Sequence, residues 1–227
     1  TVERKGKLLI PSFTLERTQE VLYFLNRLLK EKSISSVPIY VDSPLATDIT
    51  DLFKYHLDYL DEETRQAIAK KEGPFELLEL KFIRDQRESK VLNNDKRPMI
   101  IIAGSGMCES GRILHHLKNN IEDTRNTILV VGYMAQNTLG KKLVDRVRFV
   151  RIFGVEYELN AEVIVINAFS GHADKNELCD FVSECLPLKR IFLVHGDIEQ
   201  TQVLFDTLAE KGLNVYIPEK NEEVLLS

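Results

Sequence analysis

The segment Ala168-Phe169-Ser170-Gly171-His172-Ala173-Asp174 puts a hydroxyl, an imidazole and a carboxylate within five positions. It follows the apolar run Glu162–Ile166 directly. A loop at the carboxyl end of a strand is where α/β proteins bind ligands. An imidazole there can donate to a phosphate oxygen or act as a general acid near neutral pH. Asp174 can equally cap a helix that starts near Asn176. A second imidazole, His195, closes the next apolar run in Leu193-Val194-His195-Gly196-Asp197. His172 and His195 lie 23 residues apart, one strand–helix step. In a parallel sheet that step predicts neighbouring strands and brings both imidazoles to one rim. A histidine ending a strand is otherwise a satisfied core residue.

Three further strand ends carry small or polar residues. Gly104-Ser105-Gly106 follows the apolar run Met99–Ala103 and precedes a helix, so its backbone can approach an anion. It is neither a Walker loop nor a full dinucleotide fingerprint. Pro11-Ser12-Phe13 ends the run Lys7–Ile10, with Arg17 and Gln19 behind it; Arg17 binds phosphate or pairs with Glu16 or Glu20. Asp42-Ser43-Pro44 ends Val37–Val41, and turn chemistry alone accounts for it. His115 and His116 are adjacent on a helix and point apart, so they cannot chelate one ion well. Surface exposure or helix packing is the better reading of that pair. His56 has no partner nearby in the sequence.

The elements that must position these residues alternate. Apolar runs at 7–10, 37–41, 99–103, 127–132 and 162–166 read as strands. Between them, helices are expected near 14–30, 48–59, 62–71, 110–119 and 138–145. Thr14 is the expected cap of the first, whose stripe is Val21, Leu22, Leu25, Leu28 and Leu29. Residues 75–96 are charged and poorly periodic, and read as a solvated surface excursion. Strands alternating with helices predict a parallel α/β sheet. The texture changes after residue 146: extended segments at 147–153 and 155–159 meet at Gly154. Then come a helix at 176–185, a strand at 190–194, a helix at 200–211 and short strands at 214–217 and 223–226.

Composition sets the bounds. Of 227 residues, 44% are hydrophobic and 29% charged, which excludes a disordered or collagen-like chain. No 18-residue apolar run occurs, so no membrane span is expected. Three cysteines without metal-type spacing predict a reducing, cytoplasmic setting. A net charge of -5 excludes a broad basic surface for coating DNA, although binding at a small site stays open. The opening residues lack a signal peptide's apolar stretch, and a strand follows almost at once, as in an excised domain.

Together the motifs resemble the β-CASP branch of the metallo-β-lactamase superfamily, which processes nucleic acids. The carrying residues are Ile10-Pro11-Ser12-Phe13 with Arg17-Thr18-Gln19-Glu20, Asp42-Ser43-Pro44-Leu45-Ala46, and Ala103–Cys108 with Gly111–Leu117. Val131-Gly132-Tyr133 with Thr138-Leu139-Gly140, Phe169–Asp174 and Val194-His195-Gly196 complete the set. The resemblance implies a parallel-sheet β-CASP domain with helices on both faces over residues 1–150. Residues 151–227 would then be the αβ segment that completes a metallo-β-lactamase fold. It implies a zinc-dependent ribonuclease acting on single-stranded RNA, with His172 and Ser170 at the scissile phosphate. His195 would be a ligand to one of two zinc ions; RNA-acting members carry His at that place, DNA-acting ones an apolar residue. Ser12, Arg17, Ser43, Gly104, Ser105, Gly106 and Arg112 would face the RNA. The family's His-x-His-x-Asp-His motif is absent from this sequence, which implies either a missing amino-terminal metallo-β-lactamase part or a separate partner chain that carries it. A homodimer stays open. The alternatives are a non-catalytic β-CASP scaffold and an α/β phosphate- or nucleotide-binding domain.

One ligand cannot hold a catalytic zinc ion, which needs about three protein ligands. The chain is therefore expected to bind zinc weakly and below one ion per chain in a metal titration. Tight uptake of two ions would overturn the motif placement.

Overall fold

The computed structural model describes residues 1–70 and 72–225. In chain order the elements are β1 (Lys7–Pro11), α1 (Arg17–Lys30), β2 (Ile39–Val41), α2 (Pro44–Tyr55), a short 3-10 turn (Leu57–Tyr59), α3 (Glu62–Ala69), β3 (Leu80–Phe82) and α4 (Gln86–Asn94). They continue as β4 (Met99–Ala103), α5 (Arg112–Asn120), β5 (Thr127–Val130), α6 (Leu139–Val144), β6 (Phe149–Ile152), β7 (Val155–Glu158) and β8 (Glu162–Val165). Last come α7 (Lys175–Glu184), β9 (Ile191–Phe192), α8 (Ile198–Glu210) and β10 (Val215–Tyr216). The chain divides into two compact units, Thr1–Ser170 and Gly171–Ser227.

The first unit is built on a six-stranded, all-parallel sheet in the order β3-β2-β4-β1-β5-β8. Strand β4 explains why. All five of its residues are buried, as a strand covered on both faces requires. With a side-chain period of two, Ile101 and Ala103 join the core shared with Ile113 and Leu117 of α5 and Leu143 of α6. Ile100 and Ile102 join the opposite core, with Val21 and Leu22 of α1 and Ala46 of α2. The sheet is thus covered on both faces, as the strand–helix rhythm predicts. β6 and β7 form an antiparallel hairpin.

β8 pairs with β5, so the first compact unit runs past residue 150. In the second unit β9 pairs in parallel with β10 alone among the described residues. The expectation that His172 and His195 follow neighbouring strands of one sheet is therefore corrected: β8 and β9 belong to different sheets. Residues 75–96 also depart from the expected solvated excursion. They supply edge strand β3 and helix α4, and they bury Leu77, Ile83 and Leu92. Helix α1 starts at Arg17, and the cap position is Glu16 rather than Thr14. No strand occurs over 223–225; residue 226, the end of that expected strand, lies outside the described residues, as does Lys71 at the end of the third expected helix.

What locks α4 and α5 to the sheet is polar. Asp42, at the end of β2, is fully buried. Its Oδ2 accepts from Ser89 Oγ of α4 at 2.5 Å and lies 2.6 Å from His116 Nε2 of α5; its Oδ1 accepts from Arg112 Nη1 at 2.5 Å. Arg112 also donates to the carbonyls of Ile83 at 3.1 Å and Arg84 at 2.6 Å. His116 Nδ1 lies 2.9 Å from Asn93 Oδ1. Burial pushes the Asp42 carboxyl up, but the hydrogen bonds from His116, Ser89 and Arg112 outweigh it and hold the group below its ordinary value. His116 is thus a packing residue, in keeping with the sequence reading.

Asp42→Ala removes the shared acceptor and leaves buried donors unpaired. It is expected to cost about 3–5 kcal/mol in urea unfolding, the scale for breaking a buried ion pair. Because the folded pKa is depressed, this stability is present above the usual carboxylate range and lost as pH falls through the folded value. The wild-type advantage over Asp42→Ala should therefore shrink steadily in unfolding series below about pH 4.

Candidate nucleic-acid interface

In a doubly wound sheet, ligands bind where adjacent strands send their helices to opposite faces. Here that point lies between β1 and β4. They are paired neighbours, yet α1 packs on one face and α5 on the other. The loops leaving the two strands touch. Ser12 N donates to Ala103 O at 3.0 Å. A Cβ on Gly106 would come within 2.7 Å of the Phe13 ring, so the loop backbone approaches the ring this closely only with glycine there. Gly111 has φ +76°, and a Cβ on it would stand 2.5 Å from Gly104 O. Ile113 N donates to that same oxygen at 2.9 Å, which anchors the loop to the start of α5.

The polar side chains of this rim are largely engaged. Ser105 Oγ accepts from the N–H groups of Glu109 at 3.0 Å and Ser110 at 3.2 Å. Ser43 caps α2 by accepting from Ala46 N at 3.1 Å. Ser12 is buried and takes a hydrogen bond from Thr18 at 3.1 Å. Arg112 is turned inward onto Asp42, not outward along a surface path. The sheet brings together Ser12, Ser43, Gly104, Ser105, Gly106 and Arg112 at the carboxyl ends of three neighbouring strands, β2, β4 and β1. Cys108 sits below the loop, and burial pushes its thiol up to about 12, so it is not a nucleophile.

Arg17 opens α1 and reaches the loop after β8. Its guanidinium lies 5.6 Å from the centroid of Phe169, and Phe24 meets the same ring edge-on at 5.4 Å. One Arg17 nitrogen pairs with Glu20 at 2.6 Å, while its buried Nε has no partner among the described residues. Ser170, exposed, is the next residue after this clamped ring. The sequence offered no signal for Phe169 beyond its place in the motif, nor for Asp42 as a hub.

The second unit holds the two histidines singled out in the sequence, both exposed. His172 precedes α7, where Asp174 forms a capping box: it accepts from Asn176 N at 2.7 Å and Glu177 N at 2.9 Å, and Glu177 accepts from Asp174 N at 2.8 Å. Asp174 is therefore occupied as a cap. His195 has φ +62°, a left-handed conformation uncommon outside glycine and enriched in histidine. It lines a cavity of about 460 Å3 with Phe192, Val194, Thr201 and Leu204. Among the described residues, no three His, Cys, Asp or Glu side chains gather as a metal-binding set. Among the described residues the donors do not by themselves fit a catalytic metal, and no helix is long and apolar enough to cross a membrane.

These features define a doubly wound α/β domain followed by a small αβ unit that presents two exposed histidines. Comparison with known proteins gives the family: the model of the Beta-Casp domain matches residues 18–143, and that of the Zn-dependent metallo-hydrolase RNA specificity domain matches residues 156–218. The chain belongs to the β-CASP family of metallo-hydrolases. It is 38% identical over 224 residues to a protein named as a ribonuclease from Thermus thermophilus, covering 99% of this chain and 51% of the relative. It is 32% identical over 235 residues to a transcription termination factor, FttA, from Pyrococcus horikoshii, covering 100% of this chain and 36% of the relative. An RNase J-like protein from Methanocaldococcus jannaschii is 29% identical over 201 residues, covering 88% of this chain and 45% of the relative. The chain thus spans about half, or less, of the curated relatives it matches. Family membership implies a metal cofactor.

Gly106→Ala forces the Phe13 ring or the loop to move. Overpacking of this kind costs about 1–3 kcal/mol. Thermal unfolding should show that loss. An unchanged midpoint would show that the ring gives way without cost.

Proposed function

We propose that the intact protein is a ribonuclease that hydrolyses RNA phosphodiester bonds in RNA processing or decay, and that this chain supplies its RNA-facing domain and part of its reaction centre. The observation that carries this is the span of the RNA specificity match, 156–218, which contains both His172 and His195. The 38% identity to a ribonuclease along nearly the whole chain supports the same reading. In descent, residues 1–150 are the inserted domain and 151–227 the returning segment. Its setting is the cytoplasm.

Single-stranded RNA would lie along the edge where β2, β4 and β1 end. Glycines at 104 and 106 let a phosphate approach the backbone, and Ser12, Ser43 and Ser105 shape that edge. Arg17, at the start of α1, is the phosphate contact on this edge. Arg112 acts by holding the β2 loop through Asp42. Ser170 positions the scissile phosphate, and its place is set by the Phe169 clamp. His172 binds that phosphate or protonates the leaving oxygen, which needs a proton to give and no metal.

The metal of this class, zinc in this reading with two ions in the whole enzyme, supplies an activated water when bound. His195 is the one ligand this chain offers, and the remaining ligands come from a metallo-β-lactamase part or a partner chain.

The two histidines separate by experiment in the intact protein. His172→Ala should leave metal content unchanged while turnover on single-stranded RNA falls about a hundredfold or more, the scale for general acid–base groups. His195→Ala should lower metal content, measured by elemental analysis, and turnover together. Reversed results would exchange the two roles. Unchanged turnover in both variants would replace the ribonuclease with a non-catalytic scaffold.

A further inference from the structure

A groove of about 900 Å3 opens in the first unit between α4, α5 and the tip of the β6–β7 hairpin. That volume lies within the range of ligand sites. Four cations line it, Lys90, Arg112, Lys118 and Arg151, against a single acid, Glu109. The Glu109 carboxylate is already taken by Leu139 N at 2.6 Å. In a chain with 35 acidic and 30 basic residues this is a local inversion of charge. Arg112 is committed to Asp42, but Lys90, Lys118 and Arg151 enter no ion pair among the described residues. A solvated cationic face would explain the charges alone, but not the aromatic ring placed among them.

That ring is Phe153. It is 55% exposed, lies 4.8 Å from the His115 ring and has Lys118 Nζ 5.7 Å from its centroid. Its backbone is unusual. Phe153 and Gly154, with φ +52° and +79°, form the two-residue turn between β6 and β7. Such a turn prefers Asn, Asp or Gly at its first position, and a bulky residue with positive φ is an outlier. A half-exposed ring does not hold that position for burial. Burial first, and then the charges of Lys118, His116 and Lys90, hold the His115 imidazole below its usual value, while Asp42 opposes them. Of the charged groups acting on His115, three are cationic or potentially so and Asp42 opposes them.

The geometry points to this groove as a binding site for a nucleoside phosphate, with Phe153 stacking the base and Lys90, Lys118 and Arg151 holding the phosphate. Bases stack on aromatic side chains without regard to sequence, and flanking cations track the phosphate. The moiety comes either from an RNA strand or from a free nucleotide. The site goes beyond the ribonuclease reading and is tested by binding, so turnover can fail without touching it.

The test titrates the full chain with adenosine monophosphate, inorganic phosphate and a 5′-phosphorylated hexaadenylate, followed by fluorescence or NMR shifts. Phe153→Asn suits the turn better than the native residue, so it removes the ring while keeping the hairpin. It should weaken adenosine monophosphate binding about tenfold and leave inorganic phosphate unchanged. The double variant Lys90→Glu with Lys118→Glu should weaken all three probes tenfold or more. It should also flatten the salt dependence of hexaadenylate binding by about 0.7 per contact removed. Hexaadenylate binding more than tenfold tighter than the mononucleotide assigns the site to an RNA strand; equal affinities assign it to a free nucleotide. No saturable binding of adenosine monophosphate to the wild type, or equal affinities in the wild type and a folded Phe153→Asn, overturns the proposal.

Discussion

The first unit depends on one buried carboxylate. Asp42 follows β2, an interior strand of the sheet, and accepts from α4 and α5 at once, through Ser89, His116 and Arg112. Arg112 extends the link to the carbonyls that follow β3. Such a charge is stable inside only when every lone pair is answered. The requirement works in both directions: the two helices can settle on the sheet only in the register that satisfies Asp42. Apolar packing supplies the stability of this core, and Asp42 supplies its alignment.

That alignment bears on the rim. The glycine loop after β4 runs into α5, so whatever fixes α5 fixes the loop. Gly111 and Gly106 then permit contacts too close for any side chain, with Gly104 O on one side and the Phe13 ring on the other. The reading of this edge as the path of an RNA strand therefore rests on a backbone surface held from beneath, and its serines act mostly as caps and braces.

Much of this was legible in the residues. The unbroken apolar run Met99–Ala103 announced a strand covered on both faces, and the strand–helix rhythm announced parallel pairing. Residues 75–96 misled because hydrophobic periodicity is blind to α4, where Ser89 is held by Asp42 and few apolar residues are buried. The spacing of His172 and His195 misled because one strand–helix step implies neighbouring strands only within one sheet. Here β8 extends the large sheet and β9 pairs with β10. Arg112 looked like a phosphate ligand by type and place; only the geometry reveals that its guanidinium is spent on Asp42.

The all-parallel sheet has an electrostatic consequence for a chain of negative net charge. Each strand that ends at the rim feeds a helix that starts there, so the amino-terminal ends of α1, α2 and α5 gather at one edge. Each carries roughly half a positive charge from its aligned peptide dipoles. Acidic residues commonly offset this in the first turn; α1 has Glu20 there, but α2 and α5 have none. The edge is thus made attractive to a polyanion by fixed peptide groups, with few mobile lysines. Peptide dipoles do not titrate, so the attraction at this edge changes little across the pH range in which histidines gain and lose their protons.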